Sequence, residues 1–380
     1  MASNSIPMCD LLSQYRMIQP EIEAAIARVL NSGQVINGPE VTAFEEEIAP
    51  ACGSKFAVGC GSGTDAILLA LAALQIGPGD EVILPPFTFF ATVGSICRIG
   101  ATPVFADIDP VTYNLSPEEV AKKITSRTKA IMPVHLYGQC ADMAPLQDLA
   151  QSHNLHIIED AAQSFGAEYQ GRRCGGMGTI GSFSFYPSKN LGTYGDAGLC
   201  TTNSPELASR MKTLRNHGME PKYFHKMIGW NARIDAIHAA ILRVKLKYIE
   251  QWTVQRQAVA ARYDEIIQNY RLNSYLDSPV AAPNRRHVWN QYVIRVADRD
   301  GLVAHLKANQ IGCEIYYPLP LHLQECMQFL GHTPGDFPVS EAAARHVLAL
   351  PMYPELSESL QVRVIESCSA FLRTTIRRAA

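Results

Sequence analysis

The chain has 380 residues, which is more than one ordinary hydrophobic core and predicts two domains. Its apolar fraction of 47%, charged fraction of 18% and net charge of −3 are typical of a folded soluble protein. They give no reason to expect a nucleic-acid or membrane partner. The ten cysteines form no Cys-x-x-Cys pair, which argues against a zinc site and predicts free thiols in a reducing cytoplasm. The sequence shows neither a secretory signal nor an apolar run long enough for a membrane span.

The first 160 residues alternate predicted helices with short apolar runs that suit buried strands. Helices are expected at 20–30, 41–53, 65–74, 88–100 and 145–154, and Pro20 is taken as the start of the first. Strands are expected at 56–63, 81–86, 102–109, 130–138 and 155–160. This alternation predicts an α/β fold, with a mainly parallel sheet and helices on both faces. Because ligands bind at the carboxyl ends of such strands, the glycine turn at 61–63, Phe89 and Asp160 should converge.

The pattern changes after residue 200. A helix at 205–216 precedes a helical stretch at 234–270, which is long enough to need a break near Trp252. We interpret that stretch as the bridge between a large domain, residues 1–250, and a small C-terminal α+β domain, residues 251–380. Within the small domain, a strand at 287–296, a helix at 300–310 and a strand at 313–317 precede a Pro-rich loop and two terminal helices.

An acid and a lysine mark the stretch from 155 to 200. Asp160 ends an apolar strand, where a carboxylate needs a cation or hydrogen bonds. Lys189 lies in a Gly- and Ser-rich turn and is the only lysine between Lys129 and Lys212. The pair suits pyridoxal phosphate, since a lysine can hold the aldehyde as a Schiff base and an acid can keep the pyridine nitrogen protonated. The alternatives are a helix cap and an exposed loop lysine.

Four further features could complete a cofactor site. The turn that contains Gly63 and Thr64 lies between a strand and a helix, so it suits a phosphate, although a simple helix cap explains it equally. Ser184 could also bind a phosphate. Phe89 could stack on a planar ring or belong to the core. Gln163 could hydrogen-bond a ring hydroxyl or face the solvent.

Two downstream segments have weaker signals. Asn231 follows a Gly-Trp pair and could reach a phosphate. The loop that contains Tyr316, Tyr317 and His322 joins aromatic rings, prolines and an imidazole, which suits a sugar or a nucleotide. Packing between domains explains this loop equally well.

At these residues the chain resembles the DegT/DnrJ/EryC1/StrS family of sugar aminotransferases. The similar segments follow the family's order over nearly the whole chain: INGPEV, GSGTDAILLAL, PPFTFFAT, the segment from Glu159 to Gly192, GDAGL, RNHG, GWNARIDAIHAAIL and YYPLPLH. The resemblance implies fold type I of the pyridoxal phosphate enzymes, with a mainly parallel seven-stranded sheet, a smaller C-terminal domain and a homodimer whose active sites are shared.

The resemblance also implies residue roles. Lys189 would be the Schiff-base lysine, and Asp160 would hold the pyridine nitrogen. The other cofactor contacts would be Gln163 at the ring hydroxyl, Phe89 against the ring, Gly63, Thr64 and Ser184 at the phosphate, and Asn231 of the neighbouring subunit at the same phosphate. The substrate contacts would be Tyr316, Tyr317 and His322.

The implied reaction is a ping-pong transfer of an amino group from glutamate or glutamine to a nucleotide-linked keto-sugar, for amino-sugar biosynthesis. The segment 222–242 resembles enzymes that act on 3-keto rather than 4-keto sugars. The alternatives are another pyridoxal phosphate-dependent sugar enzyme, such as a dehydratase, and a non-catalytic regulator on the same scaffold. Family members that remove a hydroxyl have His in place of the lysine, so Lys189 argues against that activity.

Overall fold

The computed structural model describes residues 5–379, so residues 1–4 and 380 of the two predicted domains lie outside the described part. Its α-helices are α1 (Leu11–Ser32), α2 (Pro39–Ala51), α3 (Gly63–Ala73), α4 (Phe90–Arg98), α5 (Pro117–Ala121), α6 (Met143–His153), α7 (Pro205–Leu214), α8 (Ala236–Leu246), α9 (Ile249–Asn269), α10 (Arg299–Ala308), α11 (Pro338–His346) and α12 (Glu358–Ala379). Its strands are β1 (Phe56–Cys60), β2 (Glu81–Leu84), β3 (Thr102–Phe105), β4 (Thr128–Ile131), β5 (His156–Asp160), β6 (Glu168–Tyr169), β7 (Arg172–Arg173), β8 (Ile180–Ser184), β9 (Gly198–Thr202), β10 (Leu276–Asp277), β11 (Arg285–Arg286), β12 (Tyr292–Val296) and β13 (Val347–Leu350).

A seven-stranded sheet forms the centre, in the order β1-β9-β8-β5-β4-β2-β3. The strands from β8 to β3 pair in parallel, whereas β9 runs antiparallel to both of its neighbours. The predicted α/β class with a mainly parallel sheet is confirmed. Because β1 runs in the same direction as β2, β5 and β8, the carboxyl ends of all four strands lie at one edge.

Helices cover both faces of this sheet. Consecutive strand residues point to opposite faces, and Ile157 and Ile158 accordingly belong to two different apolar clusters. The cluster around Ile157 contains residues of α1, α2, α6 and α8. The cluster around Ile158 contains residues of α3, α4 and α7. The sheet is therefore buried on both sides, which explains the nearly continuous apolar runs of its strands.

The first helix begins nine residues earlier than the sequence pattern predicted, since α1 starts at Leu11 and Pro20 lies inside it. The Asp10 carboxylate accepts the backbone N–H of Ser13 at 2.9 Å and caps this end. The helix ends at Ser32, two residues beyond the predicted end, and Gly33 directly after it adopts a left-handed conformation with φ of 67°.

A second, three-stranded sheet has the order β10-β12-β13 and packs with α9, α10 and α12 in a separate apolar cluster that also contains Ile6. The expected break between α8 and α9 falls at Lys247 and Tyr248, close to Trp252. The predicted strand at 313–317 is wrong, since this segment makes a single bridge from Glu314 to Ala349 and otherwise forms a loop. The strand that pairs with β12 is β13, which the sequence pattern did not predict. A domain boundary at residue 250 stays a prediction.

Within residues 5–379, we find no helix whose length and hydropathy would allow it to cross a membrane. A ligand site is expected at the carboxyl edge of the large sheet.

Candidate active site

A cavity of about 710 Å³ lies at the carboxyl edge of the large sheet and reaches the loop after α10. It lies within the size range of small-molecule and cofactor sites. Nine of the predicted site residues line it: Gly63, Thr64, Phe89, Asp160, Gln163, Ser184, Lys189, Tyr316 and Tyr317. The prediction that the glycine turn, Phe89 and Asp160 converge is confirmed.

Asp160 is held as a buried acceptor. Its Oδ2 accepts the hydroxyl of Thr92 at 2.8 Å, and its Oδ1 accepts the N–H of Ala162 at 3.2 Å. The side chain is only 5% exposed, and this burial raises its pKa. A neighbouring cation would favour the carboxylate, so the position suits a protonated ring nitrogen.

Lys189 lies in the turn after β8, with its backbone N–H bonded to the carbonyl of Tyr186 at 2.9 Å. Burial lowers the pKa of its amine to about 8, and the Asp160 carboxylate opposes this effect. The unprotonated fraction of the amine at neutral pH is therefore about a tenth, far more than for an ordinary lysine, and only that form can attack an aldehyde or accept a proton.

The start of α3 lies at the cavity. Ser62 caps the helix by accepting the N–H of Asp65 at 3.0 Å, and the N–H groups of Gly63 and Thr64 lie in the first turn, where no intrahelical acceptor exists. A methyl group on Gly63 would lie 2.7 Å from Cβ of Ser184. Glycine is therefore required for Ser184 to approach this helix end, and both fit a phosphate.

Aromatic rings form the opposite wall. Gln163 donates to the Tyr317 hydroxyl at 2.9 Å, and its carbonyl accepts the N–H of Tyr137 at 2.8 Å. The Tyr137 hydroxyl in turn donates to the carbonyl of Tyr316. Phe89 is 59% exposed, lines the cavity, and has its ring centroid 6.2 Å from that of Tyr317.

Two predicted residues lie outside this cavity. Asn231 is exposed and its backbone bridges to Asn216. His322 is buried, with its ring 4.7 Å from that of Phe337 and its Nε2 3.2 Å from Glu341. His322 does not line the cavity, and its contact with substrate stays a prediction.

A buried pair that the sequence did not predict, His135 and Glu159, lies next to Asp160. The N–H of Ala141 donates to Nδ1 of His135, which leaves Nε2–H to donate to Glu159 at 2.9 Å. Glu159 also accepts the N–H groups of Gly175, Met177 and Gly178. Burial acts to raise the pKa of Glu159, but these hydrogen bonds, above all the one from His135, lower it overall. The sequence signal for this pair was Glu159, a charged residue within an apolar strand.

The residues present fit pyridoxal phosphate. A buried carboxylate faces the cavity, an amine with a lowered pKa lies in the same cavity, and a glycine-dependent helix end offers free N–H groups. The three features match a ring nitrogen, an aldehyde and a phosphate, which are the distinguishing groups of that cofactor.

Comparisons with known proteins agree with this arrangement. The model of the DegT/DnrJ/EryC1/StrS aminotransferase family matches residues 16–369. A dTDP-3-amino-3,4,6-trideoxy-alpha-D-glucose transaminase of Streptomyces venezuelae is 44% identical over 95% of both chains. A protein of Geobacillus stearothermophilus named pleiotropic regulatory protein is 47% identical over 97% of this chain and 99% of its own.

A solved structure of DesV from S. venezuelae, in complex with a ketimine intermediate, superposes with a TM-score of 0.94. It is 43% identical and covers 97% of this chain and 98% of its own. The chain therefore belongs to the DegT/DnrJ/EryC1/StrS aminotransferase family, and it is an aminotransferase that depends on pyridoxal phosphate.

Proposed function

We propose that this aminotransferase moves an amino group from L-glutamate, or from glutamine, to a nucleotide-linked 3-keto sugar. The observation that carries the proposal is the common cavity of Lys189, Asp160 and the α3 N-terminus, whose volume of about 710 Å³ leaves room for a substrate beside the cofactor. When bound, pyridoxal phosphate supplies an electron sink for the charge that develops at the donor's α-carbon.

Lys189 is proposed as the acid and base. With a pKa lowered to about 8 by burial, its Nζ can accept a proton from the donor's α-carbon and, as an ammonium group, donate a proton in turn. The Asp160 carboxylate stabilises positive charge at the ring nitrogen and is itself held by Thr92. Gln163 is proposed to orient the ring hydroxyl, because Tyr137 and Tyr317 fix its amide group.

The charge of the cavity supports a shared active site. Among the described residues that line it, Lys189 is the only cation, whereas Asp160, Asp196 and Glu314 are carboxylates. A nucleotide diphosphate and a donor carboxylate are both anionic, so they need cations from elsewhere. We therefore propose that a second copy of the chain completes the site, with Asn231 of that copy at the cofactor phosphate.

The keto position is supported by the relative from S. venezuelae, whose name specifies a 3-amino sugar. The test is a panel of nucleotide-linked 3-keto and 4-keto sugars, each assayed with glutamate and with glutamine. We expect turnover with a 3-keto sugar and one of the two donors. Turnover confined to 4-keto sugars would contradict the proposed position while leaving the amino transfer intact.

The name of the 47% identical relative makes a regulatory role beside amino transfer the second candidate. Incubation of the holoenzyme with glutamate, and separately with glutamine, isolates the catalytic role, because an aminotransferase releases one equivalent of the 2-keto acid per site in its first half-reaction. A regulatory role would instead require binding of the nucleotide-sugar in the absence of an amino donor.

A further inference from the structure

A second buried lysine lies next to the turn that carries Lys189. Lys245 of α8 is fully buried, which is rare for a lysine. Its Nζ donates to the carbonyl of Gly192 at 2.7 Å and to Oε1 of Gln14 at 3.0 Å, and it lies 4.0 Å from the centroid of the Tyr194 ring. None of these contacts is a carboxylate, and burial lowers the pKa of the amine to about 8.

The first contact fixes the end of the Lys189 turn. The turn is closed by the bond from the N–H of Thr193 to the carbonyl of Phe185 at 2.8 Å. It is tight, since a methyl group on Gly192 would lie 2.5 Å from the carbonyl oxygen of Pro187. Lys245 satisfies the carbonyl of Gly192, which is the last residue of this turn and would otherwise be buried without a donor.

The second contact reaches another wall of the same cavity. Gln14 lies in the first turn of α1, and the residues just before that helix, Met8 and Cys9, line the cavity. The carbonyl of Met8 accepts the N–H of Met352 at 3.2 Å, so this segment is also tied to the sheet that contains β13. Lys245 therefore joins the N-terminal wall of the cavity to the turn of Lys189.

We propose that Lys245 is a positioning residue that holds the Lys189 turn and the N-terminal wall at a fixed separation. The proposal rests on the proposed role of Lys189, because only a catalytic lysine makes the placement of this turn important. The hydrogen bonds of the Lys245 amine go to the backbone of Gly192 and the side chain of Gln14, so it acts through these two groups and not on the reacting atoms.

The test compares Lys245→Met with the matched control Lys247→Met. Methionine keeps most of the length of the side chain but cannot donate a hydrogen bond. Lys247 suits the control because it lies on the surface just after the same helix, with its Nζ 3.5 Å from the Glu21 carboxylate. Hydrogen exchange of the cofactor-free proteins reports on the turn without any catalysis. We expect faster exchange at 8–14 and 185–193 in Lys245→Met, unchanged exchange in β12 and β13, and no change in Lys247→Met.

Activity gives the second readout. In the holoenzyme of Lys245→Met, kcat should fall about 10- to 100-fold while the KM for the sugar stays within about twofold, since the turn is displaced but the substrate contacts remain. If Lys245→Met does not fold, Gln14→Leu takes its place, and it should speed exchange at 8–14.

Three results would overturn the proposal. These are unchanged exchange at 185–193 in Lys245→Met, a loss of protection spread evenly over the chain, and unchanged exchange at 8–14 in Gln14→Leu. Failure of the proposed function is a separate outcome, because it would show as absent amino transfer in the wild-type enzyme while the exchange pattern still reports on Lys245.

Discussion

At the residue scale, one physical effect prepares both reacting groups of the cavity. Burial is the first cause of the raised pKa of Asp160 and of the lowered pKa of Lys189. Both shifts favour the uncharged form of the group. A cationic ring nitrogen would stabilise the Asp160 carboxylate, and the neutral amine of Lys189 can react with an aldehyde. The cofactor site is thus selective for a molecule that carries both groups.

Replacement of Asp160 by Asn tests its role. The amide keeps the shape and can still meet Thr92 and Ala162, but it cannot stabilise a cation at the ring nitrogen. We expect kcat to fall by about 10²- to 10³-fold with the fold intact. Thr92→Val is the matched variant, since it removes one hydrogen bond and leaves the charge, and its loss should be about tenfold. Equal losses in both variants would show that the charge is unimportant.

The pKa of Lys189 predicts a pH dependence of stability. Folding lowers this pKa from 10.5 to about 8, so between these values the unfolded chain holds a proton that the folded chain has released. Stability therefore rises with pH in this window as far as Lys189 contributes.

The measurement is urea unfolding of the cofactor-free wild type and of Lys189→Met between about pH 7, which lies below this window, and about pH 10. The free energy of unfolding of the wild type, minus that of the variant, should increase with pH. A difference that is flat or decreases would contradict the shift.

Sequence reasoning identified the residues whose signal is local and missed those that depend on long-range contacts. Asp160 and Lys189 stood out because an acid ends an apolar strand and a lone lysine lies in a small-residue turn. Thr92 is 68 residues from Asp160, and Tyr317 is 154 residues from Gln163. No spacing along the chain could have shown that these side chains meet.

At the scale of elements, α3 acts through its first turn. Ser184 of β8 approaches the start of this helix closely, and that approach requires glycine at 63. The structure therefore brings Ser184 of β8 and the glycine turn together, the two features that the sequence suggested separately as phosphate contacts.

Gly63→Ala tests this contact. The added methyl group would lie 2.7 Å from Cβ of Ser184 and must displace β8 or the helix end. We expect the affinity for pyridoxal phosphate, measured by titration of the cofactor-free protein, to fall by about tenfold or more. Gly77→Ala is the control, because its nearest neighbour would lie 3.8 Å away and its affinity should be unchanged. Equal affinity in the two variants would remove Gly63 from the site.

Two elements were predicted wrongly, for different reasons. Proline was taken as the start of α1, yet a strong cap at Asp10 and the buried stripe of Ile18, Ile22, Ala25 and Val29 extend the helix past it. The segment 313–317 has the composition of a strand, but Tyr316 and Tyr317 are held in the cavity wall by Tyr137 and Gln163. Tertiary contacts outweighed the local propensity of 313–317, whereas a local cap set the start of α1.

At the scale of the whole molecule, the proposed shared site has a direct consequence. Lys189 lies in the cavity of its own chain, whereas Asn231 is exposed outside it. If the partner's cavity is where Asn231 acts, a mixed dimer of Lys189→Ala and Asn231→Ala contains one site with both native residues.

We expect mixtures of the two variants to recover about a quarter of the wild-type activity, since half of the dimers at equal mixing are hybrids with one intact site. Subunit exchange is confirmed by native mass spectrometry with one variant carrying a mass tag. No recovery in exchanged dimers would contradict the shared site, and the control mixture of Lys189→Ala with wild type should show only dilution.

The central claim is that Lys189 performs amino transfer, and single-turnover spectroscopy tests it most directly. Glutamate added to the wild-type holoenzyme should shift the absorbance of the bound cofactor and release one 2-oxoglutarate per site, and a 3-keto nucleotide-sugar should then reverse the shift. Lys189→Ala should bind the cofactor but show neither change, with cooperative unfolding retained. Release of 2-oxoglutarate by Lys189→Ala at the wild-type rate would contradict the claim.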